Sequence, residues 1–133
     1  MAPAYRGVVA TWADVRRLVA GLPETAEASP HNWRVRKKLI AWERPLRTSD
    51  LAALGADAPD GDILGARVAD EGVKFALIAD DPRVYFTTPH FDGYPAVLVR
   101  LAEIGVPELG ELITEAWLAQ APKTLAKAFL QSR

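Results

Sequence analysis

The chain has no cysteine. Disulfides, thiolate zinc sites and a cysteine nucleophile are excluded on that ground alone. It has two histidines, His31 and His90, far apart in sequence. Long apolar runs are missing too: none approaches the ~20 residues that a membrane helix needs. Residues 1–9 lack the extended apolar stretch of a secretory signal, so the expected location is the cytoplasm, with no membrane partner. Neither sign of charge is in excess. Sixteen Lys and Arg against seventeen Asp and Glu give a formal net charge of −1 and a pI near 6.1. That argues against a strong, sequence-blind nucleic-acid binder, because such domains usually have a pI above ~9.

What is present fits one globular domain spanning residues 1–133. Half the residues are apolar and a quarter charged, a composition able to fill a core and unlike that of disordered chains. Ten prolines suggest many short elements with firm punctuation. The charge is unevenly placed. Residues 33–47 hold Arg34, Arg36, Lys37, Lys38, Arg44 and Arg47 against Glu43 alone, and residues 48–72 hold six acids against Arg67 alone. A neutral total can thus hide a basic face.

Thr11 with Asp14 three residues on predicts a capped helix, with Trp12, Val15, Leu18, Val19 and Leu22 at helical spacing and a stop at Gly21 and Pro23. The polar stretch 24–32 reads as a loop. Trp33-Arg34-Val35-Arg36 alternates like a strand with one wet face, Lys37-Lys38 reads as a turn, and 39–43 as a return strand apolar on both sides, hence internal. A helical turn over 49–54 closes at Gly55. Strands are expected over 63–68, 84–87 and 96–102, with a helical stretch between the first two of these bounded by Asp70 or Asp80. Gly105 and Pro107 open a helix whose apolar stripe is Leu109, Leu112, Ile113, Ala116 and Trp117. Pro122 interrupts or restarts it, and Leu125, Ala128 and Phe129 form a last stripe. The order α-β-β-β-α-β-β-α(α) predicts an α+β two-layer sandwich: a five-stranded, mainly antiparallel sheet with helices on one face.

The chemistry of catalysis is sparse. Ser29, Ser49 and Ser132 lie in no Gly-x-Ser-x-Gly elbow, and residues 61–65 match no phosphate-binding loop. No catalytic residue, cofactor or metal site is assigned, and a non-enzymatic role is expected. Thr88 to Pro95 is the most distinctive stretch. His90 and Asp92 are too few donors for zinc. The loop is expected to turn at Asp92-Gly93, with His90 or Asp92 bonded to its backbone and Phe91 and Tyr94 packed as anchors. Alternatively it presents His90, Asp92 and Tyr94 to a partner. The acidic run from Asp57 to Asp62 lacks calcium-loop spacing and reads as a solvated loop.

Residues 84–101, with the run Thr88-Pro89-His90-Phe91-Asp92-Gly93-Tyr94-Pro95 at their centre, resemble the MmcQ/YjbR-like family. The likeness continues through Leu112, Ala116-Trp117 and Ala121-Pro122-Lys123, and the first helix and the hairpin over 34–41 also fit. At the hairpin turn the family often has Gly-Lys where this chain has Lys37-Lys38. The resemblance implies a two-layer sandwich related in layout to secretion chaperones and frataxin-like proteins. It also implies DNA binding, the label commonly given to the family through an analogy with a double-winged surface, and it supplies no catalytic set.

The leading expectation is therefore a non-enzymatic binding module for double-stranded DNA. Arg34, Arg36, Lys37 and Lys38 would meet phosphates, helped by Arg44, Arg47, Lys123 and Lys127. Two alternatives stay open. One is a protein-interaction adapter that uses an exposed sheet face or edge. The other is a small-molecule binder or enzyme centred on the loop of His90, Asp92 and Tyr94.

Overall fold

A computed structural model of the chain describes residues 9–59 and 61–133. The signal-peptide reading falls on residues largely outside this range, as does Asp60 of the acidic run. Along the chain run α1 (Trp12–Ala20), β1 (Thr25–Ser29), β2 (Asn32–Val35), β3 (Lys38–Glu43), α2 (Thr48–Leu54), β4 (Ile63–Arg67), α3 (Glu71–Asp80), β5 (Tyr85–Phe86), β6 (Ala96–Arg100), α4 (Val106–Gln120) and α5 (Lys123–Gln131). The strands form one six-stranded sheet in the order β1-β2-β3-β4-β6-β5. Every neighbouring pair is antiparallel.

The α+β class, the antiparallel sheet and the helical layer agree with the sequence reading. The strand count does not: residues 25–29, expected as loop, form β1 and pair with β2. Thr25-Ala26-Glu27-Ala28-Ser29 has little side-chain bulk and weak strand propensity. It becomes a strand because the backbone of β2 is there to pair with it. The hairpin turn sits on Arg36 and Lys37, with Lys38 already in β3. Arg36 takes the left-handed conformation at φ 52°, so an arginine occupies a position for which glycine is better suited. Its N–H donates to the carbonyl of Glu24, 3.0 Å away, and its guanidinium grips the Glu24 carboxylate.

Local rules set the helices. In α1 the Thr11 hydroxyl accepts from the Asp14 N–H while the Asp14 carboxylate accepts from the Thr11 N–H, a reciprocal cap that satisfies two donors. The Asp70 carboxylate caps α3 in the same sense, accepting from the Val73 N–H. In α4 the five residues of the predicted stripe are the five buried ones, all at most 6 % exposed. Trp117 is fully buried, and its indole N–H donates to the Pro23 carbonyl at 2.9 Å. In α5 the stripe is shifted: Leu125, Ala126 and Phe129 pack on the core and Ala128 is exposed.

The two faces of the sheet differ. One is covered by α1 and α4 over a large core that includes Trp33, Val35, Leu64, Ala66, Val97 and Val99. The other carries a smaller cluster of Ile63, Phe86, Phe91 and Leu98, capped by Leu46, Leu54 and Trp42. α2 and the 3₁₀ turn Pro89–Phe91 thus cover the β4–β6–β5 half of this second face, so helical cover is not confined to one side. On its β1–β3 half, Trp42 joins this cluster and packs against Phe91, whereas Leu39 lies outside it.

Candidate functional site

Trp33 and Val35 point into the large core. Arg34, between them, therefore faces the opposite side. So do the residues directly across in β3, because paired residues share a face: Leu39 opposite Arg34 and Trp42 opposite Asn32. Trp42 lies on Gly65 of β4. A Cβ built on Gly65 would stand 2.4 to 2.9 Å from three Trp42 ring atoms. The missing side chain is what lets the indole lie down on the sheet.

Along this side of β3 runs a cleft of about 640 Å³. Leu39 and Trp42 form its base, Glu43 to Arg47 one end, with Glu43 held by His31, and His90, Phe91 and Tyr94 the wall. It sets Arg44 and Arg47, two of the predicted phosphate contacts, against the loop of His90 and Tyr94, while Arg34, Arg36, Lys37 and Lys38 of the hairpin are not among its lining residues. The loop turns as expected. Asp92 (φ −60°, ψ 129°) and Gly93 (φ 77°) form a type II turn closed by the Tyr94 N–H on the Phe91 carbonyl at 3.0 Å. Phe91 is buried, while Tyr94 is 37 % exposed and so only half an anchor. His90 and Asp92 are exposed; the Asp92 N–H donates to the Pro89 carbonyl at 3.1 Å, but neither side chain bonds the loop backbone among the described residues.

Lys74 supplies that bond instead. Fully buried on α3, its ammonium donates to the Phe91 carbonyl at 2.7 Å and the Tyr94 carbonyl at 3.1 Å. Its nearest carboxylate is Glu71, 3.6 Å away. The sequence signal for this residue is a single lysine among Val73, Phe75, Ala76, Leu77 and Ile78, and it passed unread. From the open side, Arg67 donates to the Tyr94 hydroxyl at 3.0 Å, its guanidinium 4.8 Å from the ring centroid.

The predicted cations have different fates. Arg44 is buried, with its guanidinium 3.0 Å from Asp50 and 5.1 Å from the Phe91 ring centroid. Burial works against the Asp50 carboxylate. The Arg47 N–H, the Thr88 hydroxyl and the Arg44 charge outweigh it and hold the group below its ordinary pKa. Arg44 is thus part of the framework and unfit as a free phosphate contact. Arg36 is neutralised by Glu24. Arg34 spends its guanidinium on Asn32 and the Lys37 carbonyl and meets no carboxylate among the described residues. Lys37, Lys38 and Arg47 are exposed, and their side chains have no partner among the described residues. Lys123 and Lys127 are exposed on α5, which packs through Phe129 on Trp117. They therefore stand on the helical side of the sheet, away from the cleft. A bond from the Gln120 amide to the Leu39 carbonyl keeps Lys123 near the same end of β3.

Outside the cleft, His31 (φ 55°) stacks on Trp12 at 4.5 Å and on Trp33 at 5.6 Å, and its Nδ1 is 2.7 Å from the Glu43 carboxylate. Among the described residues no helix is long and apolar enough to cross a membrane.

No family model matches the chain. A crystal structure of the Deinococcus radiodurans protein DR2400, a DUF419 domain, superposes with a TM-score of 0.63 over 93 % of this chain and 88 % of that one, at 21 % identity. That likeness shows the fold. Much nearer in sequence are the uncharacterized proteins Rv2570 of Mycobacterium tuberculosis and Mb2600 of Mycobacterium bovis. Each is 72 % identical over 125 residues, which is 92 % of this chain and 97 % of theirs. The chain belongs to the family of these mycobacterial proteins, built on the α+β fold seen in the Deinococcus structure.

Proposed function

We propose that the chain is a non-enzymatic nucleic-acid-binding module of the MmcQ/YjbR type that works through the open half of its sheet. One observation carries this reading: Arg47 lines a cleft that presents the rings of Trp42, His90 and Tyr94, Arg34 sits across from Leu39 at its base, and Lys37 and Lys38 are exposed at the adjoining hairpin turn, none of the four paired with a carboxylate among the described residues. Cations along a groove meet phosphates, and aromatic rings in the same groove stack on bases. A duplex keeps its base faces hidden. The rings thus favour a single strand over the double-stranded DNA expected from the family label.

Titrating a labelled oligothymidine and a duplex of equal length, with anisotropy and tryptophan emission as readouts, tests the proposal. With four phosphates engaged, affinity should fall roughly fifty-fold between 50 and 200 mM salt. Lys37→Ala/Lys38→Ala and Arg47→Ala should each weaken binding, and the single strand should quench Trp42 more than the duplex does. Absence of binding at 50 mM salt, or binding indifferent to these substitutions, refutes it.

A second reading, the protein adapter, has one observation in its favour. β1 is an outer strand, and among the described residues no strand pairs with its far edge, which could take another strand. Partner capture that survives high salt and is lost when a proline replaces Ala26 would favour it.

A further inference from the structure

The helix-covered face of the sheet is not fully closed. α3 packs on β5 and β6, whereas α4 packs on β3 and β4. Between the two helices a cleft of about 590 Å³ reaches down to the sheet, a volume suited to a small molecule. Its base is apolar: Val68, just past β4, is 3 % exposed and Leu112 of α4 is 6 % exposed. Leu77 and Val73 of α3 form a wall, and Val73 is left 40 % exposed.

The rim has one sign of charge. Glu108, Glu111 and Glu115 follow one another along α4 at helical spacing, and Asp80 closes the end of α3. Among the described residues no lysine, arginine or histidine lines the cleft. None of the four acids is ion-paired among the described residues. Like charges three and four apart on a helix repel, so a cation bound here relieves a strain the free protein carries. At the inner end the hydroxyl of Tyr85, itself 2 % exposed, donates to the Glu108 carboxylate and fixes it between floor and rim. No three acids converge as a metal ion would need, among the described residues. The charge is instead spread beside an apolar floor.

We propose that the α3–α4 cleft binds an organic ammonium cation with an apolar body. The hydrocarbon part lies on Val68, Val73, Leu77 and Leu112, and the ammonium is held by Glu108, with Glu111 and Glu115 adding their negative field from further along α4. This site is on the opposite side of the sheet from the Trp42 cleft and stands independently of the nucleic-acid reading.

Amide NMR of the whole chain, titrated in parallel with hexylammonium, 1-hexanol and hexanoate, tests it. Hexylammonium should give saturable shifts at residues 68–77 and 108–115. The alcohol should bind roughly tenfold more weakly and the carboxylate not at all. In Glu111→Gln/Glu115→Gln, which alters only exposed side chains, hexylammonium should lose about tenfold in affinity. Oligonucleotide binding should be unchanged. Equal affinity for amine and alcohol, shifts confined to other parts of the chain, or no saturation on the order of 10 mM overturns the proposal. The wild-type titrations decide it even where the variant folds poorly.

Discussion

Replacing Lys74 by methionine keeps the length of the side chain and its apolar stem but deletes the ammonium that holds the 88–95 loop. Two carbonyls, those of Phe91 and Tyr94, then lose their charged donor inside the protein. Each carbonyl keeps one backbone donor, the Tyr94 N–H on Phe91 and the Ala96 N–H on Tyr94, so the loss is two hydrogen bonds from a charged group, worth about 1.5–3 kcal/mol each and about 3–6 kcal/mol together. Against this, the variant no longer buries a cation, whose desolvation costs several kcal/mol and is only partly offset by Glu71 at 3.6 Å. The net expectation is a loss of about 3 kcal/mol, or about 10 °C in Tm for a domain of this size. Urea unfolding should show a lower midpoint with an unchanged slope. Hydrogen exchange should accelerate at the Tyr94 amide ahead of the α4 amides, because the loop is released first. A variant within 0.5 kcal/mol of the parent would refute the reasoning, as would one uniformly destabilised with the loop as protected as before. Because the loop forms the wall of the Trp42 cleft, the same variant should also weaken oligonucleotide binding.

Two further outcomes follow from packing and charge. Gly65→Ala should cost about 1–3 kcal/mol and change the near-UV dichroism of Trp42, because the new methyl meets the indole at less than contact distance; an unaltered aromatic signal would contradict this placement. Glu27 accepts two bonds from Arg16, at 2.6 and 2.9 Å, and one from the His31 N–H at 3.0 Å, which together lower its pKa to about 2 from an ordinary 4.5. A depressed carboxylate stabilises the fold above its unfolded pKa and ceases to do so as pH falls through the folded value. Glu27→Gln should therefore be about 1 kcal/mol less stable at neutral pH, the figure reduced for the solvent exposure of the pair, and the gap should close between about pH 5 and pH 2. A gap that persists at pH 2 would show that the stabilisation is not electrostatic.

Elements governed by neighbours a few residues apart could be read directly. The Thr11–Asp14 cap, the stripe from Leu109 to Trp117 and the glycine turn after Asp92 all follow from helix periodicity, capping and backbone sterics. Those forces act within one turn of chain, so the residues concerned lie side by side in sequence. The internal position of β3 was legible for the same reason, since apolar side chains on both faces require cover on both.

Other features answer to contacts that no local pattern encodes. Residues 25–29 form a strand only because β2 offers its edge. Ala126 is covered and Ala128 is not, because Trp117 fixes the roll of α5. Lys74 can be buried because two carbonyls from a loop seventeen and twenty residues away accept its ammonium. The cleft itself joins Arg47 to His90 through the pairing of β3, β4 and β6 and through the one glycine that lets Trp42 lie flat. The sequence alone decided which residues could be helix, turn or core, since propensity and periodicity are properties of short segments. Which charges stay free, and which rings they stand beside, was decided by strand register and by the burial of specific side chains, because electrostatics and packing act through space and the chain brings distant residues together only once it has folded.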